Sequence, residues 1–94
     1  MAEAKLKALS AALKHGRFPE NMTMIDQDNK RWVKVSALLQ SKRRFLALNQ
    51  AEAVDAMTLE VDEAGRRRFR LYTDSSGCTW VNALNRAERM SGLF

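Results

Sequence analysis

Ninety-four residues suffice for a single domain over 1–94 and exclude two substantial lobes with a cofactor cleft between them. Lys and Arg total 16 against 11 Asp and Glu, and this net charge of +5 favours a polyanionic partner, with nucleic acid ahead of a membrane surface. The single cysteine, Cys78, excludes an internal disulfide or a cysteine-based zinc cluster and fits an intracellular reducing compartment, cytoplasm or nucleus with the mitochondrion left open.

Leu6, Leu9, Ala12 and Leu13 recur at i, i+3, i+6 and i+7 and predict a helix with one apolar face. Gly16 stands where a left-handed C-terminal residue belongs, Lys14 and His15 fill the last turn, and Pro19 stops the helix resuming. "MTMI" reads as a short strand, "DQDNK" as a turn, and "RWVKV" as a second short strand with Trp32 as a core anchor. Ser36 is expected to cap a short helix over 37–40 with Leu38 and Leu39 inward, followed by the basic loop "SKRRF".

Asn49, with Glu52 three residues on, has capping-box spacing and opens a third helix. Its inward residues are Ala53 or Val54, Met57 and Val61, and Glu52 and Asp55 make its exposed side acidic. "RFRLY" and "CTWVNAL" alternate as strands near 67–72 and 78–83, joined by the hairpin turn "TDSSG". "NRAERMSGLF" reads as a short helix or a tail. The order of helix, short strand, helix, helix, strand, turn and strand is that of a small α+β winged helix: a three-helix core closed by a C-terminal β-hairpin wing.

The chemistry available is narrow. No nucleotide-binding glycine motif is present, and one His with one Cys supplies no paired metal ligands. The pairs Asp26/Asp28 and Asp62/Glu63 fall in turn-like segments, where turn chemistry accounts for them. The charge is clustered: "SKRR" and "GRRRFR" hold seven of the 16 cationic side chains. An acidic third helix would repel phosphates, so base readout by it is not expected. Instead Lys42, Arg43 and Arg44 on one side, and Arg66, Arg67 and Arg70 on the other, are expected to contact a nucleic-acid backbone without sequence preference. Phe69 and Trp80 are expected to pack in the core and not to stack on bases.

The succession "LKALSAALKHG", "WVKVSALLQ", a capped helix and "RRRFRL", from about residue 5 to residue 72, resembles the amino-terminal lobe of the KptA-type RNA 2′-phosphotransferases. The resemblance implies an RNA-facing winged-helix lobe, joined in that family to an NAD-binding ADP-ribosyltransferase lobe that removes a 2′-phosphate left at an RNA splice junction. It also implies that His15 and Arg68 hold the 2′-phosphate. Lys14 stands where the family has arginine, which keeps the charge and loses the bidentate fork. The family's Arg-Ala-Asn-Gln-Gly-His stretch, which starts the NAD site, is replaced by "VNALNRAE", and the second lobe has no counterpart in the sequence.

The expectation is therefore a monomeric RNA-binding domain, for tRNA or 2′-phosphorylated RNA, gripping phosphate through Lys14, His15 and Arg68. It would use no cofactor or metal, would not associate with membranes, and would not turn over by itself. One alternative is a protein-interaction winged helix that docks a partner through its acidic helix or apolar tail. Another is half of a tRNA 2′-phosphotransferase, completed in trans by a chain that carries the NAD lobe.

Overall fold

Leucines at helical spacing begin the fold: α1 (Glu3–His15) buries Leu6, Leu9, Ala12 and Leu13, the face the periodicity predicts. The structure, a computed structural model, describes residues 3–91. After α1 come β1 (Thr23–Ile25), β2 (Arg31–Lys34), α2 (Val35–Gln40), α3 (Gln50–Leu59), β3 (Phe69–Thr73), β4 (Thr79–Ala83) and α4 (Arg86–Ser91), with short 3₁₀ turns before β1 and α3. The strands form one antiparallel sheet in the order β1-β2-β4-β3. The described residues thus form an α+β domain of four helices and a four-stranded antiparallel sheet.

The register pairs Val33 with Val81 and Val81 with Leu71, which places Val33, Val81 and Phe69 on one face. These three are fully buried and share a core with Leu9, Leu38, Phe45, Ala53 and Met57. The opposite face carries Met24, Trp32, Lys34, Arg70, Tyr72, Trp80 and Asn82, by the same two-residue alternation. Trp32 is therefore a half-buried residue of the outer face and no core anchor. Phe69 is in the core as expected, whereas Trp80 is buried outside it.

Three helix details differ from expectation. Gly16 does not take the left-handed conformation, which among the described residues belongs to Asn29, Gly65 and Gly77. Glycine is required at 16 by close approach: its N–H bonds the Ala12 carbonyl at 2.7 Å, and a Cβ would sit 2.4 Å from that oxygen. Helix α2 starts at Val35 with Lys34 as its N-cap and no side-chain cap, so Ser36 lies within the helix and does not cap it. Asn49 caps α3 as predicted, its side chain accepting from the Ala51 and Glu52 N–H groups. Since α3 ends at Leu59 and Glu60 is extended, helical spacing no longer applies to Val61, which is 44% exposed and bridges to Arg67.

One turn chemistry recurs at three places. Asp26, Asp62 and Asp74 each donate their N–H to the carbonyl four residues on and accept the N–H of the third residue on. One carboxylate oxygen of each also receives the backbone N–H groups two and four residues ahead. The residue at the third position has positive φ in every case: Asn29 at 61°, Gly65 at 78° and Gly77 at 88°. The second oxygen takes the indole N–H of Trp32 or Trp80 at Asp26 and Asp74, and the Arg89 guanidinium at Asp62. The carboxylates at 26 and 62 thus serve turns, as the sequence suggests, and each ties its turn to a side chain beyond it.

Helix α4 is held by a reciprocal capping box. Asn85 Oδ1 accepts from the Glu88 N–H at 2.8 Å, and Glu88 Oε1 accepts from the Asn85 N–H at 3.0 Å. Glu88 Oε2 also lies 3.2 Å from Lys30 Nζ, which fastens the helix to the first hairpin. Of the last ten residues, expected as a short helix or a tail, Arg86–Ser91 form α4, and 92–94 lie outside the described residues.

Candidate functional site

The turn at 62–65 delivers the arginine run to β3, and a bend at Arg68 interrupts the simple alternation of an extended chain. The run is thereby divided between two cavities. Arg66 and Arg68 line one of about 340 Å³, together with Arg86 and Arg89 of α4. Arg67 and Arg70 line another of about 450 Å³, on the side of Trp32 and Tyr72. Arg66, Arg67 and Arg70, expected as one set of contacts, are thus separated, and in the folded chain Arg66 belongs with Arg68.

In the first cavity the cations are not equivalent. Arg89 is committed, with Nε 3.0 Å from Asp62 Oδ2 and a second nitrogen donating to the Leu84 carbonyl at 3.0 Å. The backbone N–H of Arg66, the Ala64 N–H and this guanidinium together hold the Asp62 carboxyl below the usual carboxylate range, against some opposing desolvation. Arg68 lies 3.9 Å from Glu60, a looser pair. Arg66 and Arg86 are exposed and make no ion pair among the described residues.

Lys14 shows that the end of α1 reaches the same neighbourhood. Its ammonium is pushed below the usual lysine value, first by desolvation and then by the positive fields of Arg89 and Arg68, with Glu88 opposing. The fold thus brings Lys14 within electrostatic reach of Arg68 across more than fifty intervening residues. His15, next on the helix, is exposed, and its side chain makes no hydrogen bond or ion pair among the described residues. Of the trio Lys14, His15 and Arg68, only Arg68 lines the cavity; Lys14 lies within the field of Arg68, and His15 is an exposed residue at the end of α1.

The end of α1 has a further partner that sequence reasoning missed. Arg31 donates to the Leu13 carbonyl and, at 2.9 Å, to the Gly16 carbonyl, while its guanidinium stacks over the Phe18 ring at 5.2 Å. A cation at a helix C-terminus satisfies carbonyls that have no partner within the helix. Lys42, Arg43 and Arg44 are all exposed, on a turn that precedes α3, while Arg66 and Arg68 follow it. At 1.5 Å per residue α3 is about 15 Å long, so the two basic runs enter and leave a rigid spacer.

Arg86 and Arg89 were also missed, because the last ten residues read as a helix or a tail. The signal was present in "NRAE", whose Asn-x-x-Glu spacing repeats that of Asn49 and Glu52. Among the described residues no three His, Cys, Asp or Glu side chains are grouped to hold a metal ion, and no helix is long and apolar enough to cross a membrane. Comparison with protein-family models, with curated protein sequences and with solved structures gives no match.

Proposed function

We propose that this domain is an RNA-binding winged helix, similar to the amino-terminal lobe of RNA 2′-phosphotransferases, that grips RNA phosphates and does not catalyse a reaction by itself. The observation that carries the reading is the convergence of Arg66, Arg68, Arg86 and Arg89 around one cavity of about 340 Å³, with Lys14 in their field. Guanidinium groups present paired donors that match phosphate oxygens bidentately, and the four that line the cavity outnumber its two carboxylates, Asp62 and Glu63, which suits a phosphate. Asp62 and Glu60 hold Arg89 and Arg68 in place before any ligand arrives, while Arg66 and Arg86 are free to swing onto one.

The winged-helix assignment draws support from β2, which precedes α2 and pairs with β4 of the β3-β4 hairpin, so that the hairpin closes onto the helices. Two elements go beyond that plan: β1, which extends the sheet, and α4, which contributes two of the four arginines. On this reading Lys14 and Arg68 hold one phosphate, with His15, exposed at the end of α1, as a further contact.

The test is fluorescence anisotropy with two short single-stranded RNAs that differ by one internal 2′-phosphate, titrated over a salt series. Phosphate gripping gives binding that weakens steeply with salt and a preference for the 2′-phosphorylated strand. Salt-independent binding, or none, would refute it.

A further inference from the structure

The outer face of the sheet carries two tryptophans built in the same way. Trp32 and Trp80 each stand six residues beyond a turn aspartate and donate their indole N–H to it, at 2.8 Å and 3.0 Å. A cation covers each ring: Arg70 lies 5.0 Å from the Trp32 centroid and Lys34 lies 5.4 Å from that of Trp80. Arg70 is fixed in turn, since Asn82 Oδ1 accepts from its Nε at 3.3 Å and from a terminal nitrogen at 3.0 Å. Asn82 is oriented by donating to the Arg31 carbonyl at 2.8 Å. The guanidinium plane is therefore held in position on the ring. Beside it opens the cavity of about 450 Å³, where Met24, Trp32, Arg67, Arg70 and Tyr72 meet, and Tyr72 is 52% exposed.

We propose that this cavity is a stacking site for an unpaired nucleobase of single-stranded RNA. The inference takes its class of partner from the RNA reading above. The lining is mostly flat and apolar, which suits the face of a base, and a volume of about 450 Å³ exceeds a single base and falls within the size of ordinary ligand sites. Single-stranded RNA is bound by stacking its bases on aromatic rings and on arginine planes, and both meet here: the Arg70 guanidinium held over Trp32, and the exposed Tyr72 ring beside it. The charge is complementary in part: Arg67 and Arg70 stand at the cavity for the attached phosphate and outnumber its one carboxylate, Asp26, which stays charged. Because Arg66 and Arg68 leave the same run toward the other cavity, a strand crossing that edge would meet a base site on one side and a phosphate site on the other.

The deciding comparison is a labelled single-stranded RNA against the same backbone carrying abasic residues, with the duplex as a third ligand. Stacking contributes about 1–3 kcal/mol per base, so the abasic strand should bind some 5- to 150-fold more weakly. Tyr72→Ala, at an exposed position, should erase most of that ratio, Tyr72→Phe should retain it, and Arg68→Lys should leave it unchanged. Circular dichroism establishes that each variant is folded. Quenching of tryptophan emission by the base-bearing strand and not by the abasic one is a second, independent readout. Loss of the 2′-phosphate preference with the base ratio intact would remove the phosphate site and leave this one standing. Equal binding of the intact and abasic strands, equal binding of the duplex, or no binding of any RNA would overturn the stacking site. A dimer in sedimentation that Tyr72→Ala disperses would give the face to a second copy of the chain and overturn it also.

Discussion

Asp74 accepts the indole N–H of Trp80 at 3.0 Å while its other carboxylate oxygen closes the turn from which β4 departs. One side chain thus sets both the hairpin and the orientation of a ring six residues away. The Trp80 donor, the Ser76 hydroxyl and the Cys78 N–H favour the charged form and hold the Asp74 carboxyl at about 2, below its ordinary 3.8. A depressed carboxylate contributes stability that is complete above the unfolded-state value and is lost as pH falls through the folded one. Thermal melts should therefore be insensitive to this group near neutrality and fall between about pH 4 and pH 2. Asp26 and Asp62, shifted in the same direction, add to the decline. In Asp74→Asn the acid limb should be shallower than in wild type; an identical limb would remove Asp74 from the account.

The glycine at 16 makes a separate prediction, because its reason differs from those at 65 and 77. Gly77→Ala meets no atom within 4 Å but must keep φ near 88°, a strain of about 1–3 kcal/mol. Gly16→Ala has no such backbone strain and instead drives a methyl onto the Ala12 carbonyl, 2.4 Å away, which cannot yield without displacing the end of α1. Both variants should melt lower than wild type. Only Gly16→Ala should also disturb the Arg31 contacts with the Leu13 and Gly16 carbonyls, and with them the placement of Lys14. Amide exchange over 12–16, raised in Gly16→Ala and unchanged in Gly77→Ala, would report the difference.

What could be read from the sequence, and what could not, divides along the range of the interactions. The apolar face of α1 and the Asn49 cap are set by residues within one or two turns, and both appear as read. A tryptophan in a short strand suggests burial in the core, and Trp32 is half-buried on the outer face instead. Its actual face is decided by the register with Met24 and by the pairing of Val33 with Val81, which lie far apart in sequence. The recurrence of Asp, then Asn or Gly three residues on, then Trp at the sixth was legible in "DQDNKRW" and "DSSGCTW", but its meaning depends on both carboxylate oxygens being used at once. That Lys14 lies within the fields of Arg68 and Arg89 is a product of the whole fold.

Helix α4 supplies half the arginines of the first cavity, so loosening it should affect binding as well as stability. Asn85→Ala removes the cap that accepts the Glu88 N–H, at a cost of about 1 kcal/mol. For a domain of this size that corresponds to a fall in Tm of about 4–8 °C. RNA affinity should decline with it, whereas Asn49→Ala, with an equivalent cost at α3, should lower the Tm and leave affinity at a temperature well below it unchanged. Equal effects of the two variants on affinity would show that α4 does not contribute to the site.

The arginines of the cavity should separate by the kind of contact each makes. Arg66 and Arg86 are exposed and unpaired among the described residues, so as backbone contacts each should lower the log-log salt slope by about 0.7 when replaced by alanine. Arg68 is proposed to act with Lys14 on one phosphate, and Arg68→Lys keeps the charge while removing the fork. The salt slope should then stay near the wild-type value, because the number of neutralised phosphates is unchanged. Affinity for the 2′-phosphorylated strand should fall about tenfold, the equivalent of one charge-assisted hydrogen bond at ~1.4 kcal/mol, with a smaller loss for the unmodified strand. If Arg68 served only to balance Glu60, 3.9 Å away, lysine would preserve that pair and neither RNA would distinguish the variant from wild type. Equal losses on the two strands would leave a basic surface in place of a phosphate site.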